Sequence, residues 1–232
     1  MREIVLDTET TGFEPSEGHR IVEIGAVELF NHMPTGRTYH QYINPQRDMP
    51  VEAFNVHGLS EEFLRDFPVF REVGQAFLDF VGDARLIIHN AKFDIKFLNF
   101  ELGKAGLTHL CWENVTDTLA MARQKFPGSP ATLDALCRRF GVDNSAREKH
   151  GALLDSEILA EVYLELIGGR QPDLVLAPVA EKRSTDAVSL DQNWRARPRS
   201  VPLPSRLSPE EAAAHEAFVS KIGESSIWKK FA

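Results

Sequence analysis

The sequence predicts an α/β protein. It has a mixed five-stranded sheet, three strands of it an antiparallel meander, flanked by helices and followed by a flexible C-terminal tail. Three observations carry that expectation. Residues 3 to 44 hold three strand-like runs with short connections. From there to Gly169, stretches of helical period alternate with short apolar runs. Beyond Gly169 the composition turns to proline, arginine and serine, with few apolar runs.

Taken in order, "EIVLDTE" alternates, with Ile4 and Leu6 on one face and Val5, Asp7 and Glu9 on the other. Turn residues follow at Thr10-Thr11-Gly12. "RIVEIGAVEL" and "TYHQYIN" read as the next two strands, joined through Pro34 and Gly36. "LSEEFLRDFPVFREVGQAFLDFVG" places Val69, Val73 and Phe77 at helical spacing. "RLIIHN" suits a buried strand. "FDIKFLNFELGKAG" is a helix ending in glycine, and "ENVTDT" is a candidate fifth strand. "TLDALCRRFG" is a short helix with Thr132 as N-cap and Gly141 past its end. "ALLDSEILAEVYLELIGG" is a long helix closed by two glycines. The expected organisation is a domain over 1–169, a linker over 170–206 and a terminal segment over 207–232. In that last segment, Ser208 and Glu211 form a capping box around Pro209 at the first helical position.

Composition narrows the function. Of 232 residues, 43% are hydrophobic, ample for a core, and no run is long enough for a transmembrane helix. The start runs directly into a strand, leaving no room for a signal peptide. Cys111 and Cys137 form no metal-binding spacing. These features point to a reducing cytoplasm, without a membrane. A formal net charge of −8 disfavours a protein that coats duplex phosphates with basic side chains. It suits an enzyme that grips phosphates through metal ions.

Acids interrupt the apolar faces. Asp7 and Glu9 point the same way from one strand, with Cα atoms roughly 6.6 Å apart. Two such carboxylates repel unless a cation sits between them, although a solvated strand end explains the pair equally well. Asp155 falls on the stripe of Ile158, Leu159, Val162 and Leu166, and Asp94 on the face of Phe97, Leu98 and Leu102. Either Asp alone fits a helix start, where backbone N–H groups and the helix dipole hold it. Four acids turned inward in one domain favour a shared cation. Hard oxygen ligands suit Mg²⁺ or Mn²⁺, and two such ions favour in-line attack on a phosphodiester. The attacking water needs a proton acceptor. Of eight histidines, His150 is best placed, five residues before Asp155. Five positions in a continuous helix rotate two side chains apart by about 140°, so His150 is expected in the loop before the helix. A lone histidine is also compatible with a purely structural role.

"DTETTG", "HNAKFD" and "HGALLD" together resemble the three motifs of the DEDDh exonuclease family. The resemblance implies a ribonuclease H-like fold and release of nucleoside monophosphates from 3′ ends with two divalent ions. It implies metal ligation by Asp7, Glu9, Asp94 and Asp155, with His150 as general base. "TTGF" and "NVHGL" match the family's substrate pocket, implying Thr10, Thr11 and Phe13 at the terminal nucleotide, with Val56 and His57 opposite. For Phe13 a core role is the alternative, and for His57 the capping of a turn. Residues 1–169 look most like the branch that proofreads for bacterial replicative polymerases, and the tail resembles that branch's polymerase-binding end. The implied partners are a single-stranded DNA 3′ end and the polymerase catalytic subunit.

The tail carries Phe218, Val219 and Ile222 on one stripe, then Ile227, Trp228 and Phe231. A segment this short cannot bury them itself, so they suit a partner surface or fold back on the domain. Gln171, Leu174, Val175 and Leu176 resemble a sliding-clamp-binding peptide, with ordinary linker as the alternative. Two competing functions share these motifs: a free-standing exoribonuclease, and a non-catalytic polymerase accessory protein.

Overall fold

The computed structural model describes residues 1–145, 147, 149–169 and 208–222. Two units hold the described elements; all but the last belong to the first unit. Its sheet contains β1 (Arg2–Thr10), β2 (Ile21–Phe30), β3 (Met33–Tyr42), β4 (Arg85–Ile88) and β5 (Val115–Asp117), in the order β3-β2-β1-β4-β5. The first three strands are antiparallel, and β4 and β5 run parallel to β1. This is the expected meander with two further strands.

The alternation in β1 sends its side chains into two cores. Ile4 and Leu6 join Leu86 and Ile88 beneath α3 (Phe70–Val81) and α4 (Ala91–Ala105). Val5 joins Val27 and Ile87 beneath α7 (Ala152–Leu166), through Leu159 and Tyr163. The other side of α7 packs Ile158, Val162 and Leu166 against α5 (Thr118–Lys125) and α6 (Leu133–Phe140). The single apolar stripe expected of α7 is therefore divided between two layers. A helix packed on both sides needs apolar residues around most of its circumference.

The β2–β3 connection differs from expectation. The chain reverses at Asn31 and His32, both at positive φ (49° and 66°), as a tight two-residue hairpin requires. Pro34 and Gly36 lie inside β3 instead. They are tolerated because β3 is an edge strand and the ladder is irregular between Val27 and Leu29. Val69 also lies just outside α3: the helix starts at Phe70 after Pro68, and Glu72 reaches back to the Val69 N–H (3.2 Å).

Three short helices are additional to the sequence expectation: α1 (Val51–His57), α2 (Glu61–Leu64) and α5. Their start signals are present. Pro50 precedes α1, Ser60 accepts from Phe63 N–H, and Asp117 accepts from Leu119 N–H at 2.9 Å. Thr132 and Gly141 cap α6 as expected.

The second unit contributes α8 (Pro209–Ile222). Ser208 and Glu211 bond reciprocally at 2.9 and 3.2 Å, the expected capping box. Phe218 and Ile222 are exposed. The sequence expectations for the linker and for Gln171, Leu174, Val175, Leu176, Ile227, Trp228 and Phe231 lie outside the described residues. Among the described residues, no helix is long and apolar enough to cross a membrane.

Candidate active site

Strand β1 delivers Asp7 and Glu9 at its C-terminal end, and β4 runs parallel to it and leads into α4 through Asn90. Asn90 holds a left-handed conformation (φ 64°), and its N–H donates to Asp117 Oδ1 at 3.1 Å. That corner starts α4 so that Asp94 falls in its first turn, facing β1. Thr8 Oγ1 donates to Asp94 Oδ1 at 2.7 Å.

Asp155 comes from the opposite layer, and glycine makes the approach possible. Gly25 pairs with Asp7 across the sheet. A Cβ on Gly25 would lie 2.1 Å from the backbone of Ala152 and Leu153. With no side chain there, the first turn of α7 rests directly on β2. Glu23 Oε2 accepts from Ala152 N–H at 3.2 Å, and the Ser156 hydroxyl lies 2.9 Å from the Gly25 carbonyl. Gly25→Ala is expected to displace α7, cost ~1–3 kcal/mol of stability and cut turnover by roughly 10²-fold. Thermal melting and primer digestion would read both, and unchanged values would refute the docking argument.

His150 lies in the loop before α7, as expected. Its N–H donates to the Val56 carbonyl at 3.2 Å, tying that loop to α1. Its Nδ1 is 3.3 Å from Asp155 Oδ2, and its side chain is 47% exposed. Donor atoms of Glu9, His150 and Asp155 all lie within 4.8 Å of one another. These residues, with Asp7, Asp94 and Phe13, line a cleft of about 900 Å³.

The electrostatics of the cleft favour a cation. Burial pushes Asp7 well above the usual carboxylate range, helped by Asp94, Glu9 and Asp155. Burial and the charges of Asp155, Glu23 and Asp94 push Glu9 up to about 8. Burial raises Asp94 to about 7 despite its Thr8 hydrogen bond. Burial also acts upward on Asp155, but His150 and Arg147 outweigh it and hold the carboxyl below its ordinary value. Crowded hard-oxygen donors of this kind fit Mg²⁺ or Mn²⁺.

Of the five residues expected in the substrate pocket, Phe13 lines the cleft, whereas Thr10, Thr11, Val56 and His57 do not. Phe13 is at the cleft rim and 83% exposed, which excludes a core role. Thr10 Oγ1 donates to the Gly12 carbonyl at 2.6 Å. Thr11 is fully buried, with its hydroxyl engaged by Arg20 N–H and His19 Nδ1, so its side chain does not reach the cleft. Val56 is exposed and contributes its carbonyl to the His150 loop. His57 is buried, accepts from Leu59 N–H at 3.0 Å and caps that turn. Burial pushes it down to about 4, against the pull of the Thr10 carbonyl, so it is neutral near pH 7.

Arg147, Thr8, Glu23 and Gly25 were not singled out in the sequence. Arg147 sits between "FGVDN" and "HGALLD" in a segment without periodicity, so no pattern marks it.

The exonuclease family matches residues 4–163. DNA polymerase III subunit epsilon of Rickettsia felis is 51% identical, over 96% of this chain and 97% of the relative. The protein of that name in Escherichia coli K12 is 45% identical, over 98% and 97%. The nuclease domain of 3'hExo, a DEDDh family member bound to rAMP, superposes with a TM-score of 0.63 at 21% identity, covering 72% of this chain and 91% of that one. An exonuclease I structure gives 0.62 at 15% identity, covering 72% and 40%. At such identities these two likenesses speak for the ribonuclease H-like fold. Cleft, fold and close relatives agree: the chain belongs to the exonuclease family, in the branch of the DNA polymerase III epsilon subunits.

Proposed function

We propose that this chain is a 3′→5′ exodeoxyribonuclease that proofreads newly made DNA within a replicative polymerase of the cytoplasm. In this reading Asp7, Glu9, Asp94 and Asp155 hold two divalent ions, Mg²⁺ or Mn²⁺. The supporting observation is the convergence of four carboxylates from β1, α4 and α7 in one cleft, three of them raised chiefly by burial, with repulsion from neighbouring acids adding to it. When bound, such ions polarise the scissile phosphate and stabilise charge on the attacking and leaving oxygens. The chain's own residues do the rest. Thr8 fixes the Asp94 carboxylate, and Glu23 and Ser156 fix the start of α7. The half-exposed His150 ring is placed to take a proton from water. Phe13 offers an exposed ring for stacking of the terminal base.

Digestion of a 5′-labelled, 3′-mispaired primer tests this directly. Single-nucleotide shortening from the 3′ end of DNA in Mg²⁺, abolished by EDTA, is the expected result. Faster digestion of the RNA version would favour a free-standing exoribonuclease. No digestion of either would leave a non-catalytic accessory protein.

The relatives' name places them in DNA polymerase III. In our reading the tail supplies the contact. Exposed Phe218 and Ile222 support this, together with Ile227, Trp228 and Phe231 in the sequence that follows. Deleting residues 207–232 is expected to abolish stable co-elution with the polymerase catalytic subunit, while hydrolysis of short single strands stays nearly intact. Trp228→Ala alone is expected to weaken the complex by ~2 kcal/mol or more. A truncated protein that still co-elutes, or that loses nuclease activity, would count against the tether.

The segment from Gln171 to Leu176 is read as a weak sliding-clamp contact, made useful by a tethered effective concentration of ~mM. Gln171→Ala combined with Leu174→Ala is expected to lower clamp affinity in a titration. Unchanged affinity would return the segment to ordinary linker.

A further inference from the structure

The Arg147 guanidinium holds a position for which the reading above gives no role. Its Nε lies 2.5 Å from Asp155 Oδ1 and its Nη2 2.7 Å from Asp155 Oδ2, a bidentate pair that occupies both oxygens. Its Nη2 also lies 2.7 Å from His150 Nδ1, and its Nη1 2.8 Å from Asp134 Oδ1. The side chain is only 9% exposed, so the charge is held in place. Among the described residues, no other arginine or lysine pairs with any of the four acids.

Two consequences follow from the geometry. A divalent ion and a guanidinium seek the same carboxylate, and two cations so close repel each other. His150 Nδ1, moreover, has one in-plane bonding site. As acceptor from Arg147, it has no lone pair left there for a proton from water, and the neutral ring carries its hydrogen on Nε2. As N–H donor to Asp155 Oδ2, 3.3 Å away, it would face the arginine donor. One arginine therefore engages both a candidate metal ligand and the candidate base.

We infer that Arg147 is an intramolecular latch. It acts as a built-in cation that competes with a divalent ion for Asp155 and ties up His150 until the ion displaces it. Asp134, at the cleft wall, is the anchor that holds the guanidinium in its latched position. This inference rests on the metal-dependent reading above. It differs in sign from an ordinary supporting role. A residue that merely orients a metal ligand strengthens metal binding, and its loss weakens affinity by about 10–100-fold. Loss of a competitor does the reverse.

The test is Mn²⁺ binding by calorimetry to the full-length protein, without nucleic acid. Arg147→Met is expected to bind Mn²⁺ at least ~10-fold tighter than wild type. Asp134→Asn removes the anchor without touching the four acids, and is expected to shift affinity the same way by less. Mg²⁺ titration of the wild type should also move the Arg147 Nε–H resonance out of its ion-paired position. Unchanged or weaker Mn²⁺ binding by both folded variants would overturn the latch while leaving the metal site standing. Absence of Mn²⁺ binding by wild type and variants alike would remove the metal reading itself, and the latch with it.

Discussion

Asp7→Asn or Asp155→Asn, each made alone, is expected to lower turnover in Mg²⁺ by about 10³-fold or more while the protein stays folded. An amide carries no charge to hold a divalent ion, and that ion supplies several kcal/mol of transition-state stabilisation at about 1.4 kcal/mol per tenfold in rate. Near-wild-type rates for either variant would end the metal reading. Stability gives an independent check. A carboxyl whose folded pKa lies above its unfolded value stabilises the fold at low pH. That contribution is lost as pH rises through the folded value. Glu9, at about 8 against 4.5, and Asp94, at about 7 against 3.8, both do this because burial and neighbouring acids disfavour their charge. In EDTA, therefore, raising the pH from about 4 to 8 should lower the melting temperature of wild type more than that of Asp7→Asn, in which one repelling charge is gone. The comparison cancels groups such as His57, which acts in the opposite sense as pH falls from 6.5 toward 4. Equal pH slopes would show that the acids do not interact as their burial implies.

His150→Ala is expected to lower turnover by ~10²–10⁴-fold and to leave binding of single-stranded DNA nearly unchanged. The imidazole stands at the cleft edge, half-exposed, and its backbone N–H rather than its ring carries the tie to α1. Removing the ring therefore takes away a proton acceptor while the loop keeps its anchor. A protonated imidazole cannot accept, so the acidic limb of the pH–rate profile should change with the substitution. A variant with the same rate and the same profile would make His150 structural.

Much of the fold was legible because its signals are local. Alternation in β1, the glycine-closed helices, the Thr132 cap and the Ser208–Glu211 box each depend on neighbours in the chain. The acids were legible for a related reason: carboxylates on apolar faces are conspicuous because burial makes them costly. The short helices α1, α2 and α5 went unseen since one or two turns carry little periodicity, although their caps were written in the sequence. The hairpin at Asn31 and His32 was hidden behind Pro34 and Gly36, stronger turn signals that an edge strand happened to tolerate. Thr11 looked like a pocket residue by motif, and packing turned its hydroxyl inward.

By itself, then, the sequence determined the order of the five strands and of α3, α4, α6 and α7, the inward acids and the place of His150 before its helix. All of these follow from side-chain period and from the cost of burying charge. Only the tertiary structure decided how the layers meet. Gly25 says nothing by itself until α7 is seen resting on it at a distance no Cβ allows. Arg147 is one basic residue among many until folding brings Asp134, His150 and Asp155 around its guanidinium. Contacts between elements from different layers depend on distances in space, and the order of residues along the chain does not encode them locally.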